Sequence, residues 1–295
     1  MALTVFLPPF YLDGTPETYI LRNGDTNACS GPSDISFRSL KRIGGSDFYR
    51  IDVYRGELTL SSDEPPLDVV CKIGFGRKAK DRVSHEASMY TGKLSHLQGE
   101  CIPHCHGYFE GGTDEGPTGC IVLAYCGEPI KEMLGYLPDK FKIGIVHALV
   151  GIHDAGLNHL DLTAGNILDY NGRPMIIDFE DSEDHECGRQ IDIEIGAPGP
   201  SAIMEIGCPE LYQFFLDLKI WTPAFIRYID NYWPIKFAFD ARTLAMTAPS
   251  HWSQEEALKE ANRVIVEHVK TYYPAEYDHW RASFSELIKL LSLSQ

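Results

Sequence analysis

The chain has 295 residues, enough for one large domain or two smaller lobes around a buried core. With 44% apolar and 23% charged residues it has the make-up of a globular protein, and no apolar run is long enough to span a membrane as a helix. A net charge of −16 sets it against phosphate backbones and anionic lipid, which excludes nucleic acid and membrane surfaces as expected partners. The eight Cys are irregularly spaced, without a C-x-x-C pair, and no N-x-S/T sequon occurs. A reduced chain in the cytoplasm is the expectation.

In chain order, "MALTVFLPPFYL" is apolar but lacks a basic segment, and Pro8-Pro9 interrupts it, so an extended segment or edge strand is expected rather than a signal peptide. Residues 1–37 are rich in Pro, Gly, Asp, Asn and Ser and read as an N-terminal extension of loop and short strand. "FYRIDVYRGELTL" alternates apolar and polar residues as a strand does, and "LDVVCKIGF" is a second strand. "AKDRVSHEASMYTGKLSHL" has helical spacing, with Val83, Ala87, Tyr90 and Leu94 on one face. Strands around "CHGYFEG" and "TGCIVLAYC" follow. After "CGEP", "DKFKIGIVHALVGIHDAG" reads as an amphipathic helix closed by Gly156. Two short strands lie around "NIL" and "PMIID". The stretches "SAIMEIGCPELYQFFLDLKIW", "SQEEALKEANRVIVEHVKTYY" and "PAEYDHWRASFSELIKLLSL" all read as helical. The expected organisation is an extension over 1–37, a β-rich lobe over 38–124 and a helical lobe over 125–295, with a pocket where the lobes meet.

The chemistry concentrates in "HLDLTAGNIL" (His159–Leu168) and "IIDFE" (Ile176–Glu180). Phosphoryl transfer asks little covalent help of a protein; it needs charge around the phosphates and a group that orients the nucleophile. Asp161 suits the second task, and Asn166 and Asp178 are oxygen ligands of the kind Mg²⁺ prefers. Lys72 lies mid-strand in "VVCKI", where an ammonium is costly unless paired, and Glu86 on the next helix is its expected partner.

Four stretches in order resemble the protein-kinase-like superfamily: "VVCK" its strand lysine, "HEASMY" the helix bearing the partner glutamate, "HLDLTAGN" its catalytic loop, and "DFE" its metal-binding D-F-G. The likeness covers about residues 38–185 and is poor over the last hundred. It implies an α+β, bilobal fold with a β-rich first lobe carrying one helix and a mainly helical second lobe. It implies ATP and Mg²⁺ as cofactors. Lys72 would hold the α- and β-phosphates, oriented by Glu86. Asp161 would be the catalytic base, and Asn166 and Asp178 would ligate Mg²⁺. Gly44 and Gly45 would approach the phosphates. Leu123 would be the gatekeeper, the backbone of Ala124 and Cys126 would meet the adenine edge, and Val53, Val70 and Leu168 would sandwich the ring.

The departures narrow the resemblance. Only Gly44 and Gly45 stand where G-x-G-x-x-G would, and Glu180 replaces the third residue of D-F-G, removing backbone freedom and adding a carboxylate. "TAG" after the catalytic Asp-Leu is closer to the aminoglycoside, choline and fructosamine kinase branch than to regulated protein kinases. "CPE" (Cys208–Glu210) lacks the helix that would make it the end of an activation segment. The expectation is therefore a phosphotransferase acting on a hydroxyl acceptor, a small molecule. A Ser/Thr protein kinase with a protein substrate and a catalytically inactive kinase-like binding module are the alternatives.

Other clusters invite blander readings. "DFEDSEDHE" holds six carboxylates in nine residues; it reads as a solvated loop, or as a rim favouring a cationic acceptor. Cys101, His104, Cys105 and His106 resemble a packed strand entry more than a zinc site. His185, Cys187 and Cys208 offer one donor fewer than a closed zinc site takes. His153 reads as a cation suited to a helix C-terminus, His159 as a brace of the catalytic loop, and "GRKAKDR" as a solvated turn.

Overall fold

Alternating side chains let one strand serve two environments, and this chain uses the device repeatedly. The computed structural model describes residues 1–8, 17–24, 34–46, 48–200, 202–274 and 277–278. Its contacts group into two units, Met1–Gly188 and Arg189–Gln295.

The first unit begins with β1 (Ala2–Leu7), β2 (Glu17–Asn23), β3 (Asp34–Ser46), β4 (Ile51–Thr59) and β5 (Leu67–Phe75). Helix α1 (Arg77–Thr91), β6 (Cys105–Thr113) and β7 (Gly116–Ala124) follow. The seven strands close into a barrel in the order β1-β2-β6-β7-β5-β4-β3. Closure comes from β1, which pairs antiparallel with β2 and parallel with β3, so residues 1–37 supply two barrel strands and the start of a third. Every second residue of β1 points inward: Leu3, Val5 and Leu7 are buried. They meet Leu21, Ile35, Phe37, Leu58 and Phe109 in an apolar barrel interior. Each such side chain contributes about 1.5–3 kcal/mol over leaving it in water. In β5, Val69, Cys71 and Ile73 face this interior, where Cys71 Sγ lies 2.8 Å from Cys120 Sγ. Val70 and Lys72 therefore face the other way.

The rest of the first unit is β8 (Glu128–Pro129), α2 (Asp139–Asp154), β9 (Leu157–Asn158), β10 (Ile167–Tyr170), β11 (Arg173–Ile176) and β12 (Glu183–Asp184). Strands β10 and β11 form a hairpin flanked by β8, and β12 pairs with β9. The second unit carries α3 (Ile203–Ile206), α4 (Pro209–Leu218), the hairpin β13 (Phe225–Tyr228) and β14 (Asn231–Pro234), α5 (Ala241–Ala245) and α6 (Gln254–Tyr272). Its core gathers Ile226, Tyr228, Leu244 and Ala261, and the Tyr228 hydroxyl donates to Ala257 O at 2.8 Å.

The expected α+β bilobal kinase-like fold is corrected by this structure, which is a mixed α/β protein with a closed seven-stranded barrel and six α-helices among the described residues. Two physical reasons account for the difference. The N-terminal alternation finds partners on both sides and closes the sheet. Downstream, the helical patterns are cut short: Gly207 (φ 79°) ends α3, Lys219 (φ 53°) ends α4, and "FIRY" and "NYWP" pair as strands. The helix expected from Pro274 to Leu293 lies almost wholly outside the described residues.

Candidate functional site

The outward face of β5 forms one wall of a cavity of about 350 Å³, contained within the first unit. Val53 from β4 and Val70 from β5 line it, with Leu123, Ala124 and Cys126 at the end of β7 and Leu168 from β10. The register explains the grouping, because Val53 is opposite Lys72 and Val70 is opposite Leu123. Cys126, Leu168 and Met175 pack as one apolar cluster with Ala124 and Ile177. Gly44 and Gly45 also line the cavity, from a part of β3 bent by a register shift between Arg42 and Gly44. Gly45 must be glycine: its φ is 133°, and a Cβ there would lie 2.4 Å from Ile51 O. Gly44 has no such need, since a Cβ would meet only Val53, at 3.7 Å.

Lys72 sits at the polar end of this wall. Its Nζ lies 2.8 Å from Glu86, 2.5 Å from Asp178 and 2.8 Å from Glu180. Glu86 is delivered by the buried face of α1, the face that also buries Val83, Ala87 and Tyr90. Burial alone would lower the pKa of the Lys72 ammonium; the three carboxylates outweigh it and raise it. Glu86 is shifted upward, because its burial outweighs Lys72. Glu180 is shifted downward, because Lys72 and Arg82 outweigh its burial.

Helix α1 also clamps the turn that carries the aspartate. Arg82 reaches Glu180 at 2.9 Å and Asp181 at 2.7 Å, and His85 Nε2 lies 2.8 Å from Ser182 O. The Phe179 amide donates to Glu86 Oε1 at 3.4 Å, and the buried Phe179 ring meets Tyr90 edge-on at 5.5 Å. Asp178 holds φ at 72° and Leu160 at 64°, conformations that a non-glycine residue keeps only when its surroundings impose them.

Asp161 and Asn166 lie on the loop between β9 and β10; they do not line the cavity, but Gly165 and Leu168 from the same stretch do. Asp161 is exposed. Asn166 Nδ2 donates to Asp161 O at 2.8 Å and to its Oδ2 at 3.2 Å. Asn166 O accepts from the Ile177 amide at 3.1 Å, which brings the loop beside the strand that ends at Asp178. His159 is buried, and its Nε2 lies 2.9 Å from Ile177 O.

These donor sets fit a nucleotide and a hard cation. No partner among the described residues takes the Cys126 amide, whereas the Ala124 amide is spent on His104 O at 2.8 Å. An adenine edge would thus meet the Cys126 N–H and not that of Ala124. Asn166 turns its N–H groups to Asp161, which leaves Oδ1 for a cation. The oxygens of Glu86, Asp178 and Glu180 lie within 4.8 Å of one another, and the Lys72 ammonium already occupies that trio.

Sequence reasoning missed two participants. Glu180 stands where glycine was expected and becomes the third carboxylate on Lys72. Arg82, read as part of a solvated turn, lies on α1 four residues before Glu86; that spacing puts both on one helix face and was the available signal. The run Cys101–Cys105 serves as a backbone junction: Cys101 O accepts from Ile176, and His104 O from Ala124. Of the six carboxylates in Asp178–Glu186, four are ion-paired to Lys72, Arg82 or Lys93, while Glu183 and Glu186 stay exposed. No helix among the described residues is long and apolar enough to cross a membrane.

No family model matches this chain, and no curated protein matches it.

Proposed function

We propose that this protein is an ATP- and Mg²⁺-dependent phosphotransferase that acts on a hydroxyl group, the acceptor being a small molecule. One observation carries the reading: an ammonium held by a buried glutamate and an aspartate stands at the polar end of an apolar cavity of nucleotide-binding size. Bound Mg²⁺-ATP would supply the phosphoryl group, with the cation neutralising charge that builds on its oxygens. Lys72 binds phosphate oxygens and Glu86 keeps its ammonium aimed at them. Val53, Val70 and Leu168 enclose the base and exclude water. Asn166 fixes the Asp161 carboxylate, which takes the proton of the acceptor hydroxyl at Oδ1 or Oδ2. Asp178 and Asn166 would hold the metal. Glu183 and Glu186, the carboxylates of the acidic run with no ion pair among the described residues, would favour a cationic acceptor; reversing the charge of Glu183 and Glu186 then raises KM with kcat little changed.

A second reading has its own observation: Lys72 is already satisfied by three carboxylates, which suits a module that binds nucleotide without turnover. Thermal melts with ATP, with and without Mg²⁺, come first, followed by ATP consumption against hydroxylated metabolites and peptide pools. Mg²⁺-dependent stabilisation and turnover that Asp161→Asn abolishes are expected. Stabilisation without turnover on any acceptor selects the binding module, labelling of peptides alone selects a protein kinase, and no response to ATP at all overturns both readings.

A further inference from the structure

Helix α2 and the strand pair β9–β12 bring three further donors together away from the cavity. His153 occupies the last turn of α2 and is buried, at 2% exposure. Strand β9 follows at once, and β12 returns to pair with it, Glu183 opposite Asn158 and Asp184 opposite Leu157. The His185 amide then donates to Gly156 O at 3.0 Å. The next residues are therefore folded back over the C-terminal end of α2. Lys93 holds the same corner, donating to Gly156 O at 2.9 Å and pairing with Asp184 at 2.9 Å. In an extended chain, residues two apart face the same side, so His185 and Cys187 present their side chains together. The result is two imidazoles 5.1 Å apart, at 85° to each other, and donor atoms of His153, His185 and Cys187 all within 4.8 Å of one another. Sequence had read His153 as a cap and had counted too few donors beside His185 and Cys187; the helix supplies the one that spacing alone did not show.

We propose that His153, His185 and Cys187 bind a zinc ion. The set combines nitrogen and sulfur donors, which zinc prefers over the oxygen ligands of Mg²⁺ or Ca²⁺. Cys187 loses its thiol proton on binding, and the imidazoles bind neutral. Three side chains leave a fourth position of the tetrahedron for another donor or a water. The ion ties the segment after the Asp178–Ser182 turn to the helix before the Asp161 loop. It thus pins the outer ends of both candidate catalytic segments without touching either. This role does not depend on the phosphotransferase reading.

The test is the metal content of the full chain purified without chelators, with X-ray absorption at the zinc edge. One zinc per chain is expected, with at least one sulfur and two imidazole nitrogens around it. Cys187→Ser and His185→Gln lose the metal, Cys101→Ser keeps it, and a zinc chelator lowers Tm in the wild type but not in Cys187→Ser. A chain that neither carries zinc nor takes up an equivalent of it overturns the proposal. So does a zinc shell without sulfur, or full zinc content in Cys187→Ser. Should the variants fail to fold, the absorption spectrum of the wild type still decides.

Discussion

The wall of the cavity and the loop beside it are built on opposite rules. On the wall, Lys72, Glu86 and Glu180 are nearly withdrawn from water, and each charge faces an opposite one. On the loop, Asp161 is exposed, and among the described residues its carboxylate is met by the side-chain amide of Asn166. Charges of the first kind hold the fold and the site together, so they cannot be removed from one without disturbing the other. A charge of the second kind is free to act on a substrate, and the fold owes it little.

Lys72→Met should break the wall on both counts. It leaves Glu86 and Asp178 facing an apolar side chain and Glu180 with Arg82 alone, and removing one partner of a buried ion pair typically costs about 3–5 kcal/mol. It also removes the proposed phosphate clamp, for which a loss of at least roughly a hundredfold in kcat is expected. Denaturant melts and steady-state kinetics on the same preparation read both effects. Asp161→Asn is the contrasting case: a similar loss in kcat, on the scale of removing a positioned base, with stability changed by no more than about 0.5 kcal/mol. If the two variants lose equal stability, the distinction between wall and loop disappears.

The wall was legible in the sequence because its logic is local. A lysine in the middle of a strand demands a partner, and the next helix offers Glu86 on its buried face. The apolar lining followed from the resemblance, and Val53, Val70, Leu123 and Leu168 do border one cavity. Barrel closure was not legible, although the alternation of Leu3, Val5 and Leu7 was visible. Alternation says which face is buried but not which strand is the neighbour, and β1 pairs in parallel with β3 across more than two dozen residues. The hairpin in the second unit was missed for another reason. Ile226 and Tyr228 point inward and Arg227 outward, but the turn uses Ile229 at φ 56°, and no Asn-Gly or Asp-Gly marks it. His153 was misread because a helix-end histidine has an adequate local explanation, and the ring that meets it lies 32 residues on.

Gly127→Ala sharpens the contrast from the linker that joins the barrel to the loop segments. Gly127 holds φ at 93°, and a Cβ there would sit 2.0 Å from Asp169 O, on the strand that also carries Leu168. Strain of this kind costs about 1–3 kcal/mol. Because Cys126 is the next residue back, ATP affinity should fall along with Tm. A variant that melts lower but binds ATP as tightly would show that Cys126 does not meet the base.

The smallest expected effect concerns the carboxylate that replaced a glycine. Glu180 has a pKa below the ordinary 4.5, since Lys72 and Arg82 outweigh the burial that would raise it. Its contribution to stability is therefore complete above about pH 4.5 and is lost as the pH falls through the lowered value of the folded state. Glu86 is shifted the other way and gives a slope of opposite sign, so the two must be separated by substitution. Glu180→Gln does this: the wild type should be more stable by about 1 kcal/mol at pH 7, the upper end for an ion pair that water still reaches from the Arg82 side. The gap should close as acid is added, which makes the acid limb of the variant's stability curve the flatter one. Melts from pH 7 down to about pH 3 read the difference; parallel curves would assign the acid sensitivity to other groups and leave Glu180 as a spectator on a wall that Lys72, Glu86 and Asp178 hold by themselves.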